Sequence, residues 1–191
     1  QILTGVDVDV AKVVQRSFKK RKIDVRTGVS VMGVEVSGDL TVAYEDAKGI
    51  EKITVDAVVV SVGRRPRSEG IGLEDSSVGI DERGFVEIDS YQRTAVPGVY
   101  AVGDVVAGPA LAHVAFAEAI VAVKTILGEQ VVPLDRARVP WGIYCHPEVA
   151  FSGLTEEQAK EAGFDVVVSK HRFTGNSRAM IIGETDGLVK I

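Results

Sequence analysis

One stretch of this 191-residue chain constrains its fold more than any other, the run from Thr94 to His113. Within it, Val99-Tyr100-Ala101-Val102 is a short apolar run bounded by turn signals, which predicts a buried strand. Pro97-Gly98 predicts the turn that leads into this strand. Gly103 follows the strand, and a residue without a Cβ atom lets the backbone approach a ligand closely. The stretch therefore predicts a ligand-binding edge at the end of a strand.

Asp104 comes directly after this predicted strand, at the carboxyl end where open α/β sheets bind their ligands. A long apolar helix is predicted from about Ala110 to Leu127. Its free N–H groups and the positive end of its dipole would face the same place as Asp104. Asp104 alone could be a simple cap, but the whole string offers a carboxylate for hydroxyl groups and a helix start for negative charge.

This string resembles the second flavin-binding motif of the FAD-dependent pyridine nucleotide–disulfide oxidoreductases. Ala110-Leu111-Ala112-His113 narrows the resemblance to the dihydrolipoamide dehydrogenases within that family. The resemblance implies that Asp104 binds the ribityl chain of FAD. It also implies that Ala110, Leu111, Ala112 and His113 lie against the flavin pyrimidine ring, where the helix start stabilises the reduced flavin.

Two further residues are expected beside NAD, and only through the resemblance. Val29 ends a strand predicted from Ile23, and Gly63 follows Val58–Val62, an apolar run typical of a parallel strand covered on both faces. By itself, a glycine with two arginines after a strand indicates an ordinary exit loop. The order and spacing of both positions relative to Gly103-Asp104 favour the NAD interpretation.

The predicted fold class is α/β, with an α+β C-terminal part. The resemblance divides the chain into three partial domains. Residues 1–65 would be the second half of an NAD-binding domain, and residues 66–133 the C-terminal part of a central FAD-binding domain. Both are three-layered in the family. Residues 134–191 would be the first part of an interface, or dimerisation, domain.

Local patterns predict the remaining elements. The sequence predicts an amphipathic helix over 7–22, an antiparallel meander of three strands over 31–55, and strands over 85–89, 166–173 and 188–191. Thr155-Glu156-Glu157-Gln158 predicts a capping box that opens a short helix. The helix over 110–127 is apolar nearly all round and should be buried, so Glu118 within it needs a partner.

Composition excludes several function classes. The net charge of −5 gives no reason to expect nucleic acid or an acidic membrane as a partner, and no apolar run is long enough to span a bilayer. Cys145 is the only cysteine, so the chain holds no internal disulfide, CxxC redox pair or cysteine metal site. A reducing, cytoplasmic compartment is expected on this ground. No metal ligand is assigned.

The resemblance implies oxidation of a dihydrolipoyl group, with electrons passing through an enzyme disulfide and FAD to NAD. The implied partners are a second identical subunit and the lipoyl domain of a 2-oxo acid dehydrogenase complex. The chain has neither a GxGxxG fingerprint nor a redox cysteine pair, and the family's His–Glu pair is expected beyond its end. We therefore expect an internal fragment that is inactive alone, with no catalytic residue of its own.

Two alternatives remain open at this point. One is another FAD disulfide oxidoreductase, such as a glutathione or mercuric reductase or a transhydrogenase, although Leu111-Ala112-His113 weighs against these. The other is a structural fragment that neither catalyses a reaction nor binds a cofactor. Assays with lipoamide and glutathione separate the first alternative, and a flavin absorbance spectrum decides the second.

Overall fold

The computed structural model describes residues 1–191, which divide into two compact units. The first unit comprises Gln1–Val60 together with Pro140–Ile191, and the second comprises Ser61–Val139. The mixture of helices and strands confirms the predicted fold class. In chain order the regular elements are α1 (Val8–Lys20), β1 (Ser30–Ser37), β2 (Asp39–Asp46), β3 (Gly49–Val55), α2 (Ala112–Ile126), β4 (Trp141–Ile143), β5 (Val149–Phe151), α3 (Glu156–Glu161), β6 (Lys170–Arg172), α4 (Ser177–Ile181) and β7 (Leu188–Lys190).

Helix α1 opens the first unit as the sequence predicts. The side chain of Asp7 caps it by accepting the N–H of Asp9 at 2.9 Å, and Lys19 and Lys20 lie in its last turn, where they complement the helix dipole. Its apolar face forms part of the core of this unit, a cluster of Val6, Val14 and Val149. The amphipathic pattern therefore predicts both the helix and which of its faces is buried.

The antiparallel meander is also confirmed. Strands β1, β2 and β3 pair in sequence order, so that the central β2 is hydrogen-bonded on both sides. Tyr44 on β2 is the only buried residue of the meander, whereas β1 is exposed along its whole length. The alternating pattern predicts the strands, and short turns at Gly38 and Gly49 fix their register.

Short elements complete the first unit. Strand β4 pairs with β5, and the Trp141 ring stacks on that of Phe151 with a centroid separation of 5.7 Å. Strand β6 pairs with β7, so the strand predicted over 166–173 is shorter than expected. The capping box of α3 is confirmed in both directions. Thr155 Oγ1 accepts the Gln158 N–H at 3.2 Å, and the Gln158 side chain accepts the Thr155 N–H at 3.0 Å.

The second unit consists of α2 and a series of turns around a small core. Val78, Val86 and Val106 form this core. The Val86 N–H donates to the Val105 carbonyl at 2.9 Å, and Val86 also forms an isolated parallel bridge with Val106. The segment around Val86 therefore holds in place the turn that carries Asp104.

Four strands that the sequence predicts do not form, those over 23–29, 58–62, 85–89 and 99–102. The last two are reduced to isolated bridges at Val86 and Tyr100, and Val59 and Val62 are 90% and 91% exposed. A strand requires a neighbouring strand to satisfy its hydrogen bonds, and none lies beside residues 58–62 in the structure. An apolar run indicates a preference for burial but does not supply the neighbour.

The expectation that α2 is buried nearly all round is likewise wrong. One face is buried, whereas a stripe on the other face is exposed, consisting of Phe116, Ile120, Val123 and Leu127 just beyond the helix. The pattern shows that these side chains are apolar, but not that the second unit offers something to cover them. None of the helices combines the length and apolar composition needed to cross a membrane.

Candidate functional site

The turn predicted at Pro97-Gly98 forms and leads towards Asp104. The Val99 N–H donates to the Val96 carbonyl at 3.1 Å, and Gly98 has a φ of 82°, which suits the third position of a type II turn. Thr94 supports the turn from outside, because its Oγ1 donates to the Val99 carbonyl at 3.0 Å. The chain therefore enters the site along a fixed path.

Asp104 lies in a single 3₁₀ turn, Gly103–Val105, instead of directly after a strand. Its side chain is 45% exposed, and its Oδ2 atom lies 2.8 Å from Nη2 of Arg64. Arg64 follows Gly63, which has a φ of 116° and is exposed. The structure thus joins the loop expected beside NAD to the carboxylate expected to bind FAD. The predicted site does not include Arg64, although two arginines after an apolar run are a signal in the sequence.

Ala110, Leu111, Ala112 and His113 form the entrance to α2. Leu111 is the N-cap residue, and no side chain caps the helix there. The positive end of the α2 dipole therefore lies at this entrance without a capping side chain. Together with the exposed carboxylate of Asp104, it suits hydroxyl groups and partial negative charge, such as those of the ribityl chain and the pyrimidine ring of FAD.

Glu118 has the partner that the sequence does not name. Its side chain is 1% exposed, and its Oε1 atom accepts a hydrogen bond from Arg136 Nη2 at 2.7 Å. Its Oε2 atom accepts the backbone N–H of Gly103, also at 2.7 Å. A carboxylate within an apolar helix predicts that a polar partner lies nearby, but sequence spacing does not indicate which residue it is.

The two residues expected beside NAD fall in different units. Val29 is half-buried and directly precedes β1 in the first unit, whereas Gly63 belongs to the second. Of the two residues of the predicted NAD site, the second unit therefore contains Gly63. This glycine lies near the Asp104 turn because its neighbour Arg64 pairs with Asp104. No group of three or more His, Cys, Asp or Glu side chains is placed to hold a metal ion.

A cluster of charges in the first unit surrounds Lys190, whose side chain is 8% exposed. Its Nζ atom lies 2.8 Å from an Asp7 oxygen, 2.9 Å from Asp9 and 2.7 Å from Glu156. Burial acts to lower the pKa of Lys190, but the three carboxylates outweigh burial and raise this pKa above its ordinary value. The cluster joins the starts of α1 and α3 to β7.

Two carboxylates of this cluster, those of Asp9 and Glu156, have lowered pKa values and are held ionised. Hydrogen bonds from Lys170 and then Lys190 lower the pKa of Asp9 from 3.8 to about 2. Hydrogen bonds from Lys160 and then Lys190 lower the pKa of Glu156 from 4.5 to about 2. These are the effects expected of opposite charges in close contact, and they point to a structural role for the cluster.

Cys145 and His146 follow β4 and do not form a catalytic pair. The Cys145 thiol donates to the Pro147 carbonyl at 3.1 Å, whereas the His146 Nε2 atom lies 3.8 Å from a Glu184 oxygen. The thiol and the imidazole thus have different partners. The side chains whose arrangement suits a cofactor are those around Gly103 to His113.

Known proteins resemble this chain over almost its whole length. A family model described as pyridine nucleotide-disulphide oxidoreductase matches residues 1–119, and the model of the dimerisation domain of that family matches residues 139–191. The dihydrolipoyl dehydrogenase of Thermus scotoductus is 42% identical over 194 residues, which cover 100% of this chain and 42% of that protein. The enzyme of Corynebacterium glutamicum is 43% identical over 197 residues, with the same coverage of both proteins. The mitochondrial enzyme of Homo sapiens is 41% identical over 191 residues, covering 98% of this chain and 37% of that protein.

Solved structures agree with the sequence relatives. LpdA from Mycobacterium tuberculosis superposes with a TM-score of 0.87 at 25% identity, covering 97% of this chain and 40% of that chain. The HOCl-induced flavoprotein disulfide reductase RclA from Escherichia coli superposes with a TM-score of 0.88 at 26% identity, covering 100% and 43%. The chain spans about two fifths of the length of these relatives. FAD and NAD, the cofactors that the resemblance implies, are the cofactors of these oxidoreductases. The chain belongs to the pyridine nucleotide-disulphide oxidoreductase family.

Proposed function

We propose that this chain forms part of a dihydrolipoyl dehydrogenase. In that reaction the dithiol of a dihydrolipoyl group loses two electrons and two protons to become a disulfide. NAD⁺ accepts both electrons and one proton as a hydride, and the other proton is released to solvent. Bound FAD supplies the electron relay between the enzyme disulfide and NAD. The one observation that carries the proposal is the convergence of Gly63-Arg64, Asp104 and Ala110–His113 at the amino end of α2. Sequence identity of about two fifths with dihydrolipoyl dehydrogenases supports it.

Each residue of this site has a proposed role. Asp104 would accept a hydrogen bond from a hydroxyl of the ribityl chain through Oδ1, because Oδ2 pairs with Arg64. Arg64 would keep that carboxylate oriented. The backbone at Ala110–His113 would present the positive end of α2 to negative charge on the flavin. Val29 and Gly63 would contact NAD. The redox cysteine pair is not among these 191 residues, in which Cys145 is the only cysteine.

Partners and location belong to the same proposal. The match of residues 139–191 to a dimerisation domain supports a homodimer. A lipoyl domain of a 2-oxo acid dehydrogenase complex would present the dihydrolipoyl group. We place the protein in the cytoplasm because a single cysteine suits a reducing compartment, and fractionation of cells tests this placement. The proposed domain boundaries at residues 65 and 133 are testable by limited proteolysis.

The test of the function uses the full gene product that contains this chain. Its absorption spectrum and intact mass are recorded first, and a flavin band is expected. Reduction of NAD⁺ by dihydrolipoamide is then compared with oxidation of NADPH by glutathione disulfide. Dihydrolipoamide activity supports the proposal, activity with glutathione alone identifies another disulfide oxidoreductase, and absence of flavin and of both activities identifies a structural protein.

Variants locate the activity at the site. Asp104→Asn keeps the shape of the side chain but removes its negative charge. That charge strengthens the proposed hydrogen bond from a ribityl hydroxyl and forms the ion pair with Arg64. We expect its FAD dissociation constant to rise about tenfold, the change typical of losing one charge-assisted hydrogen bond. Glu69→Gln, an exposed acid of the same unit, is the matched control. Equal FAD affinity in the two variants would contradict the role of Asp104.

A further inference from the structure

Glu118 is a buried carboxylate that the roles described above do not use. It lies in the middle of α2 with 1% of its surface exposed, and each of its two oxygens has a separate donor at 2.7 Å. Burying a carboxylate destabilises the folded state through loss of hydration unless the carboxylate is paired with a cation and hydrogen-bonded. The two donors therefore indicate what Glu118 holds in place.

The first donor is the backbone N–H of Gly103, the residue directly before Asp104. Gly103 has a φ of 79°, and a Cβ atom there would lie 3.4 Å from the Cβ of Ala115 on α2. The turn that carries Asp104 is thus packed directly on the helix. Glu118 lies about one helical turn after Ala115 on α2 and anchors the Asp104 turn by accepting the Gly103 N–H.

The second donor, Arg136, contacts the other half of the stretch Gly103–His113, the loop around Gly108. Its guanidinium group lies against Gly108, where a Cβ atom would come within 3.3 Å of Arg136 Nε. Gly108 belongs to the loop that leads into Ala110–His113. Arg136 itself begins a short 3₁₀ turn, Arg136–Arg138, which Asp135 caps by accepting the Ala137 N–H at 3.1 Å.

We propose that Glu118 and Arg136 are positioning residues that hold both halves of Gly103–His113 in one geometry for FAD. The inference rests on the proposed function and adds to it two residues that do not touch the cofactor. Glu118 anchors the turn, and Arg136 supports the loop and balances the buried charge. The flavin would therefore be reduced beside a neutral ion pair instead of an unbalanced carboxylate.

Three variants of the full gene product separate geometry from charge. Arg136→Met leaves the Glu118 carboxylate buried without its cation. We expect about tenfold weaker FAD binding and a more negative flavin midpoint potential, because uncompensated negative charge opposes the addition of electrons. The double variant Glu118→Gln/Arg136→Met should regain the wild-type potential but not the affinity. Arg136→Lys should keep the potential and lose part of the affinity, since it keeps the charge but not the planar fork.

Arg93→Met is the matched control, because Arg93 is a half-exposed arginine of the same unit whose nearest carboxylate, on Asp89, is 3.9 Å away. It makes the same change in net charge and should leave FAD affinity and potential at wild-type values. FAD affinity is measured by titration of the apoprotein, potential by spectroelectrochemical titration, and folding by far-ultraviolet circular dichroism. None of these readouts depends on turnover.

The outcomes are distinct. Folded Arg136 variants with wild-type affinity and potential overturn the inference and leave the proposed function intact, and so does a control that shifts the potential equally. Should Arg136→Met fail to fold, Arg136→Lys and the double variant carry the comparison, since neither contains an unbalanced buried charge. Unchanged affinity in both then overturns the inference. A wild-type protein that binds no FAD overturns the proposed function together with the inference.

Discussion

Lys190 offers the sharpest test of what stabilises the first unit. The substitution Lys190→Met keeps the length and apolar stem of the side chain but removes a buried cation from three carboxylates at 2.7–2.9 Å. Removing one partner of a buried ion pair costs about 3–5 kcal/mol, whereas an exposed pair contributes about 0.2–1 kcal/mol. Asp7, Asp9 and Glu156 are 15%, 26% and 28% exposed, so the cluster lies between these limits. We expect a loss of about 2 kcal/mol.

Hydrogen exchange of the full gene product measures this loss locally. A change of about 2 kcal/mol in the free energy of opening corresponds to about 30-fold faster exchange. The acceleration should appear in peptides that cover α1, α3 and β7, which the cluster joins, and not in the meander of β1 to β3. Lys52→Met is the control, because Lys52 is an exposed lysine 3.3 Å from one carboxylate, that of Glu35. Acceleration below about threefold, or equal acceleration in the meander, would refute the reasoning.

The same cluster predicts a pH dependence. Its pairing with lysines lowers the pKa of Asp9 from 3.8 to about 2 and that of Glu156 from 4.5 to about 2. A carboxylate with a lowered pKa in the folded state contributes stability above its unfolded value, and that stability is lost as the pH falls through the folded value. Protection of α1 and β7, corrected for intrinsic rates, should therefore decline from about pH 4.5 towards pH 2. The decline should be smaller in Lys190→Met.

Three further changes have defined outcomes. Thr155→Ala removes half of the capping box of α3 and should cost about 1 kcal/mol, seen as about fivefold faster exchange in that helix, whereas unchanged exchange would mean that the box contributes nothing. Gly103→Ala places a side chain at a φ of 79° and 3.4 Å from Ala115, and should cost about 1–2 kcal/mol, measured by exchange of the turn; a cost near zero would show that the turn adapts freely. Residues 1–191 expressed alone should melt without a cooperative transition, because Val58–Val62 and one face of α2 are exposed, and a sharp calorimetric peak would contradict this.

The sequence predicts well the features that depend on neighbours along the chain. The three-stranded meander, the capping box of α3, the amphipathic α1 and the turn at Pro97-Gly98 all form, because turn chemistry, capping and hydrophobic period act over a few residues. The predicted cofactor motif from Gly103 to His113 is also a local string, but its placement around one helix start depends in addition on Glu118, which accepts the Gly103 N–H.

The sequence fails where a distant partner decides the outcome. Residues 58–62 read as a covered strand yet lie exposed without a neighbour, since an apolar run cannot specify what pairs with it. The same reason explains the exposed face of α2. Period and composition describe what a segment prefers, and only another segment can satisfy that preference.

By itself the sequence determined the family motif, the local elements and the need of Glu118 for a partner. Only the tertiary structure decided that this partner is the cation Arg136, that Arg64 meets Asp104, and that Lys190 gathers carboxylates from two helices. Each of these pairs joins residues that are far apart along the chain. Many lysines and arginines could serve as partners, and the fold selects one by bringing it within hydrogen-bond distance of a buried or half-buried carboxylate, where an unpaired charge would be costly.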